Sequence, residues 1–182
     1  LLILGINFQS IYAVFSIMLT IIFALIGMLG FMGWLYLITG YNMFNFTILS
    51  TSMPIILLTI ANSDGVHIVS RFFRQAKKEK NIEKALSNTL KTLKIPIFLT
   101  STTTAIAFIS MIFSPIPHMT GYGIVIAFGV IWAWILSVSF LPALLFLKKW
   151  NMASNVFHKD NFIEKALQFL SEKVSRYPKK IL

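Results

Sequence analysis

Four stretches of the chain stay apolar long enough to cross a lipid bilayer as helices. They cover about 11–38, 46–70, 95–113 and 121–147, against the roughly 20 helical residues that a hydrocarbon core requires. A shorter apolar run over 1–7 reads as the end of a preceding span, set off by the break 8-FQS-10. Pro54 falls inside the second stretch, where a kink is expected, and Pro96 falls in the first turn of the third, where a missing N–H costs little. The links between stretches alternate in character. Those over 39-TGYNMFN-45 and 114-SPIPHMT-120 carry no Lys or Arg, whereas 71–94 and the segment after Leu147 are rich in both. Each basic segment repeats an apolar residue at helical spacing. In 81-NIEKALSNTLKTL-93, Ile82, Leu86, Leu90 and Leu93 share a face behind Asn81 as N-cap. In 161-NFIEKALQFLSEKV-174, Ile163, Leu167, Leu170 and Val174 do the same, with Asn161 and Glu164 at capping-box spacing. Both are read as amphipathic helices lying along the inner membrane surface.

Composition supports that reading. From Leu1 to Ile60 there is no Asp, Glu, Lys, Arg or His, and only 12% of the 182 residues are charged, about half the usual share of a soluble domain. The pattern predicts an all-α, polytopic membrane helix bundle over 1–149. It is followed over 150–182 by a cytoplasmic linker that leads to a further span, the chain being one part of a larger protein. The net charge of +10 raises the question of nucleic acid, and its distribution answers it. All sixteen basic residues lie in 71–94 and 148–182. Lys and Arg near helix ends mark the cytoplasmic side, so topology accounts for them, in a cytoplasmic (inner or plasma) membrane, and contact with anionic headgroups is compatible with them. No nucleic-acid partner and no cofactor are expected. With no cysteine there is neither a disulfide nor a thiolate metal site, and His118 lies on the opposite side from His67, so no metal site is expected either.

The chemistry of interest sits in 59-TIANSDGVHIVSRFFR-74. Asp64 lies seven residues inside Arg71, about 10 Å into the hydrocarbon at 1.5 Å per residue. A carboxylate near a helix centre costs about 2.5–3.5 kcal/mol on insertion scales. Three readings of that cost compete: a neutral Asp64 that hydrogen-bonds a neighbouring helix, a misplaced boundary that leaves it near the surface, or an acid that carries a proton or cation during transport. Desolvation favours the neutral carboxyl, so water reaching such a group changes its charge. His67 shares the face of Asp64 and is read either as a proton acceptor and hydrogen-bond partner or as a passive interfacial residue. Ser63 and Ser70 flank the pair, but three groups on one helix do not make a nucleophile–base–orienter chain, and an enzyme is not expected. The third stretch opens with 100-TSTTTAIAF-108. Its hydroxyls can bond their own i−4 carbonyls, or reach across helices and line a wet path to Asp64. Thr103 lies nine residues on from Lys94, a depth close to that of Asp64. Gly27, Gly30, Gly33, Gly121, Gly123 and Gly129 are read as sites of close helix packing.

The segments 64-DGVHIVSRFFR-74, 84-KALSNTLKTLKIPIFLTSTTTAIAF-108, 121-GYGIVIAFGV-130 and 141-LPALL-145 together resemble the resistance–nodulation–division (RND) superfamily. The resemblance is to its predicted-exporter and mycobacterial-large-membrane-protein (MMPL) branch, which is related to sterol-sensing domain proteins. It runs from about Leu1 to Lys149 and implies the end of span two to span six of one transmembrane half, whose partners would be a second half of the same protein, the bilayer and a hydrophobic or lipid substrate. A homo-oligomer is compatible with it. The resemblance implies that Asp64 takes part in proton relay, with Ser101, Thr103 and Thr104 as the hydroxyls of the following span. It also implies proton-driven export; the alternative is a sterol-sensing-type lipid sensor or scaffold. The sequence departs from the common Gly-x-Asp-Tyr pattern: here Asn62-Ser63-Asp64-Gly65 lacks the Tyr, and His67 stands three residues after the acid.

Overall fold

The computed structural model describes residues 11–79 and 81–148. The expected end of a preceding span over 1–7 and the linker with its amphipathic helix over 150–182 lie outside the described residues. Within them the chain is a bundle of four long helices: α1 Ile11–Thr39, α2 Met53–Glu79, α3 Ile82–Ile109 and α4 Pro117–Leu147. Short 3-10 turns at Asn42–Phe44, Leu49–Ser52 and Ser110–Phe113 join them. The four helical stretches are long and apolar enough to cross a membrane. The protein is a multi-pass membrane protein of all-helical class.

Packing sets up the site. Neighbouring helices run antiparallel, α2 and α4 each touch every other helix, and α1 and α3 hardly touch one another. The diagonal pair α2 and α4 therefore carries the core, where Leu57, Ile68, Phe72, Val125, Ile126, Val130 and Leu141 are fully enclosed. Rings tie α1 to α4: Phe31 stacks on Phe128 at 3.8 Å between centroids, and Phe23 meets Phe140 edge-on at 5.1 Å. Tyr12 Oη donates to the Leu144 carbonyl at 2.9 Å, which satisfies one of the acceptors left over at the end of α4. Phe98 on α3 lies against Trp134 on α4 at 4.9 Å. At the other end, the Ser52 and Tyr122 hydroxyls lie 2.7 Å apart.

Three local expectations are revised. The amphipathic segment 81–93 does not form a separate helix on the membrane surface; it makes the first turns of α3 and runs without a break into the span. Asn81 caps it, accepting from the backbone N–H groups of Glu83 at 2.9 Å and Lys84 at 3.3 Å. Its apolar face finds protein instead of lipid, because Ala85 and Leu86 join a buried cluster with Phe72, Phe73 and Ala76 of α2. Asn88 Nδ2 also donates to Glu79 Oε1 at 3.1 Å across the hairpin. The two prolines exchange roles as a result. Pro54 sits in the first turn of α2, where it costs little, and Pro96 sits well inside α3, where it leaves the Thr92 carbonyl without its helical donor. Of the six glycines, four are close-packing sites. A side chain at Gly27 would meet Trp132, at Gly121 the Met43 carbonyl, at Gly123 the Phe108 carbonyl and at Gly129 the Met28 side chain. Gly30 and Gly33 face open space, and nothing lies within 4 Å of a Cβ built there.

These contacts predict unequal tolerance. Gly123→Ala is expected to destabilise the protein by about 1–3 kcal/mol, because the obstructing atom is backbone and cannot swing away. Gly30→Ala is expected to change stability by less than about 0.5 kcal/mol. Thermal unfolding of the two variants in detergent compares them directly, and equal midpoints would contradict the packing described.

Candidate functional site

A cavity of about 510 Å³ opens between α2 and α3. One wall is a stripe of α2 built from Thr59, Ile60, Ser63, Asp64 and His67; the other is a face of α3 built from Leu93, Pro96, Ile97, Thr100, Ser101 and Thr104. Both series follow the spacing of a single helix face. The α3 wall includes Pro96, which is apolar on its surface and removes a backbone donor. On the far side of α2, Gly65 admits α1. A Cβ on Gly65 would stand 3.0 Å from Cγ2 of Ile17, so α1 closes tightly over the turn that carries Asp64.

Asp64 is 7% exposed, and its Oδ2 atom is buried with no hydrogen-bond partner among the described residues. Ser101 is 2% exposed, and its Oγ atom is likewise buried without a partner. Both line the cavity. Most native buried polar atoms have a partner; of those without one among the described residues, Asp64 Oδ2 and Ser101 Oγ are the two whose residues line this cavity. The threonines divide differently. Thr100 donates to the Ile97 carbonyl at 2.9 Å and Thr104 to the Thr100 carbonyl at 2.8 Å. Thr103 donates to the Leu99 and Thr100 carbonyls at 3.0 and 2.9 Å and is exposed outside the cavity. The structure thus brings Asp64, His67, Ser101 and Thr104 to one cavity and leaves Thr103 out of it. His67 is an exposed part of the wall.

Thr59, Ser63 and Thr100 complete the polar lining; Thr100 belongs to the hydroxyl-rich run expected to line a path to Asp64, whereas sequence reasoning gave Thr59 and Ser63 no part in it. The signal was available for both: Thr59, Ser63 and His67 recur every four residues, a polar stripe down one face of an otherwise apolar helix. Among the described residues, no three His, Cys, Asp or Glu side chains come together as a metal would require.

The MMPL family model matches residues 1–179. This chain belongs to the MMPL family. Membership makes it a transporter-like membrane protein of the RND type, in keeping with four helices able to span a bilayer. It is also similar to MJ1562 of Methanocaldococcus jannaschii, a membrane protein by name, with 24% identity over 94 residues that cover 52% of this chain and 24% of that one. The match thus spans about a quarter of the length of that relative. No solved structure matches it.

The cavity makes a prediction that needs no transport assay. The chain has no cysteine, so single cysteines report cleanly on water access. Thr104→Cys and Ser63→Cys are expected to react with a small charged thiol reagent at least about tenfold faster than Ile55→Cys on the apolar outer surface, because only the thiolate reacts and it needs water. Equal rates at all three positions would mean that water does not reach the cavity.

Proposed function

We propose that this chain is the transmembrane part of a proton-driven exporter of lipids or other hydrophobic molecules, with Asp64 as the acid that takes up and releases the proton. One observation carries the reading: a buried carboxyl group with an unpartnered oxygen, in a cavity lined by hydroxyls, on a helix otherwise fit to cross a membrane. An acid used only as structural glue needs a hydrogen-bond partner, and among the described residues the buried oxygen of Asp64 has none. A surface acid would be exposed, and Asp64 is not. Family membership supports the transporter class.

The energetics suit such a role. A proton crossing the membrane brings about 2.3 kcal/mol per 100 mV. To use it, the protein needs a group whose charge is tolerable in one conformation and costly in another. Packing supplies the contrast. Ile17 and the tight turn at Gly65 exclude water on one side of Asp64, and the cavity offers it space on the other. Pro96 weakens the backbone of α3 at the cavity wall, which is where a movement of α3 against α2 would open or close water access. His67, in the same wall, would pass the proton towards the basic end of the bundle, which this reading places in the cytoplasm together with 71–94 and 148–182. Ser101 and Thr104 would carry it within the cavity.

The test is Asp64→Asn in the complete protein, reconstituted in vesicles. Substrate flux driven by a pH gradient is expected to fall to background while membrane insertion and the size-exclusion profile stay unchanged. Flux that persists with the same pH dependence would end the relay reading. Equal lipid binding by variant and wild type with no flux in either would favour a lipid sensor instead.

A further inference from the structure

We propose that the membrane-facing side of α3, at the basic end of the bundle, binds an anionic phospholipid, with Lys91 and Lys94 on its phosphate and an acyl chain along Ile95, Phe98 and Trp134. Such binding does not depend on the role given to Asp64.

Helix α3 passes from the basic hairpin into the span without a break, so a single helix face carries charged and then apolar positions. Lys91, Lys94, Ile95 and Phe98 are spaced i, i+3, i+4 and i+7, which places them on one face. All four are exposed. The cavity uses a different face of α3, the one with Leu93, Ile97 and Ser101. Phe98 lies against the half-buried Trp134 at 4.9 Å between ring centroids, so the stripe runs along the seam between α3 and α4.

Charge along this stripe is one-sided. The nearest acid on α3 is Glu83, eight residues before Lys91, about 12 Å along the axis. Across the hairpin, Glu79 accepts from Asn88. Helix α4 contains no Asp or Glu. Residues 149–182 hold seven Lys or Arg against three Asp or Glu, so that part of the chain adds positive charge as well.

Topology asks only for positive charge at this end of the helices and is indifferent to the face that carries it. Here two cations stand directly beside exposed Ile95 and Phe98. A matching ligand presents negative charge one turn away from hydrocarbon, as an anionic phospholipid does. Lysine stems lie along apolar surface while their ammonium groups reach the headgroup layer, and each ammonium offers three donors to phosphate oxygens. A zwitterionic headgroup supplies its own cation to its phosphate and gains less from the pair. A soluble acidic partner would gain nothing from Ile95 and Phe98.

The experiment uses the complete protein in vesicles of phosphatidylcholine and phosphatidylglycerol, with bromine near the carboxyl end of the acyl chains of one lipid or the other. Bromine quenches tryptophan fluorescence on contact. At equal mole fraction, brominated phosphatidylglycerol is expected to quench more than brominated phosphatidylcholine, and the excess should shrink in Trp134→Phe. Lys91→Gln and Lys94→Gln should each weaken the preference about fivefold, the worth of one cation near an anionic surface, whereas Lys94→Arg should keep it. Lys84 lies ten residues before Lys94, about 15 Å further from the hydrocarbon, and Lys84→Gln should change the preference by less than about twofold. Equal quenching by the two lipids in wild type, or an excess unchanged in Trp134→Phe, would overturn the proposal. Equal losses in Lys84→Gln and Lys94→Gln would also overturn it, leaving only diffuse attraction to the surface. Loss of the excess on adding soluble polyglutamate would assign the patch to an acidic protein partner instead.

Discussion

An acidic side chain inside a bundle of apolar helices needs a donor, a counter-charge or a proton, because the hydrocarbon supplies none of them. Asp64 is in that position. Its buried oxygen has no partner among the described residues, its helix is packed on one side by Ile17 at Gly65, and its open side faces a hydroxyl-lined cavity. The rest of the structure is arranged around this constraint. Helices α2 and α4 form the shared diagonal of the bundle, α1 closes one flank, and α3, interrupted by Pro96, forms the opposite wall.

The packing separates rigid from adjustable parts. Helix α1 meets α4 through stacked rings and through close contacts at Gly27 and Gly129, which a shift would break outright. Helix α3 meets α2 across the cavity, and the Thr100 and Thr104 hydroxyls of its wall satisfy their hydrogens within their own helix. Such a contact can move without leaving new unpaired donors. In the proposed mechanism this is the contact that changes when Asp64 changes charge.

Much of this was legible in the sequence. A chain without a charged residue before Asp64 has no means of making a soluble surface, and the gathering of all basic residues into two segments fixed which helix ends lie together. The depth of Asp64 relative to the hydroxyl-rich stretch could also be counted from Arg71 and Lys94. Rotation about the helix axis could not. Each residue turns a helix by about 100°, so counting depth does not decide between Ser101 and Thr103, and the one that faces α2 is determined by where α4 packs against α3. Asn81 was legible as a cap, but the continuity of its helix with the third span was misjudged for a related reason. Hydropathy marks where a helix enters oil, whereas Asn81 starts α3 well before that point, because the hairpin with α2 gives its apolar face a protein partner. Gly30 and Gly33 show the limit from the other side: a row of small residues permits close packing but does not provide a neighbour.

The central claim is that the Asp64 carboxyl exchanges its proton within the folded protein, and infrared difference spectroscopy of the complete protein in lipid observes that exchange directly. Acidification should raise a protonated-carboxyl C=O stretching band that disappears on return to alkaline pH and is missing from Asp64→Asn. Identical difference spectra for wild type and Asp64→Asn would contradict the account.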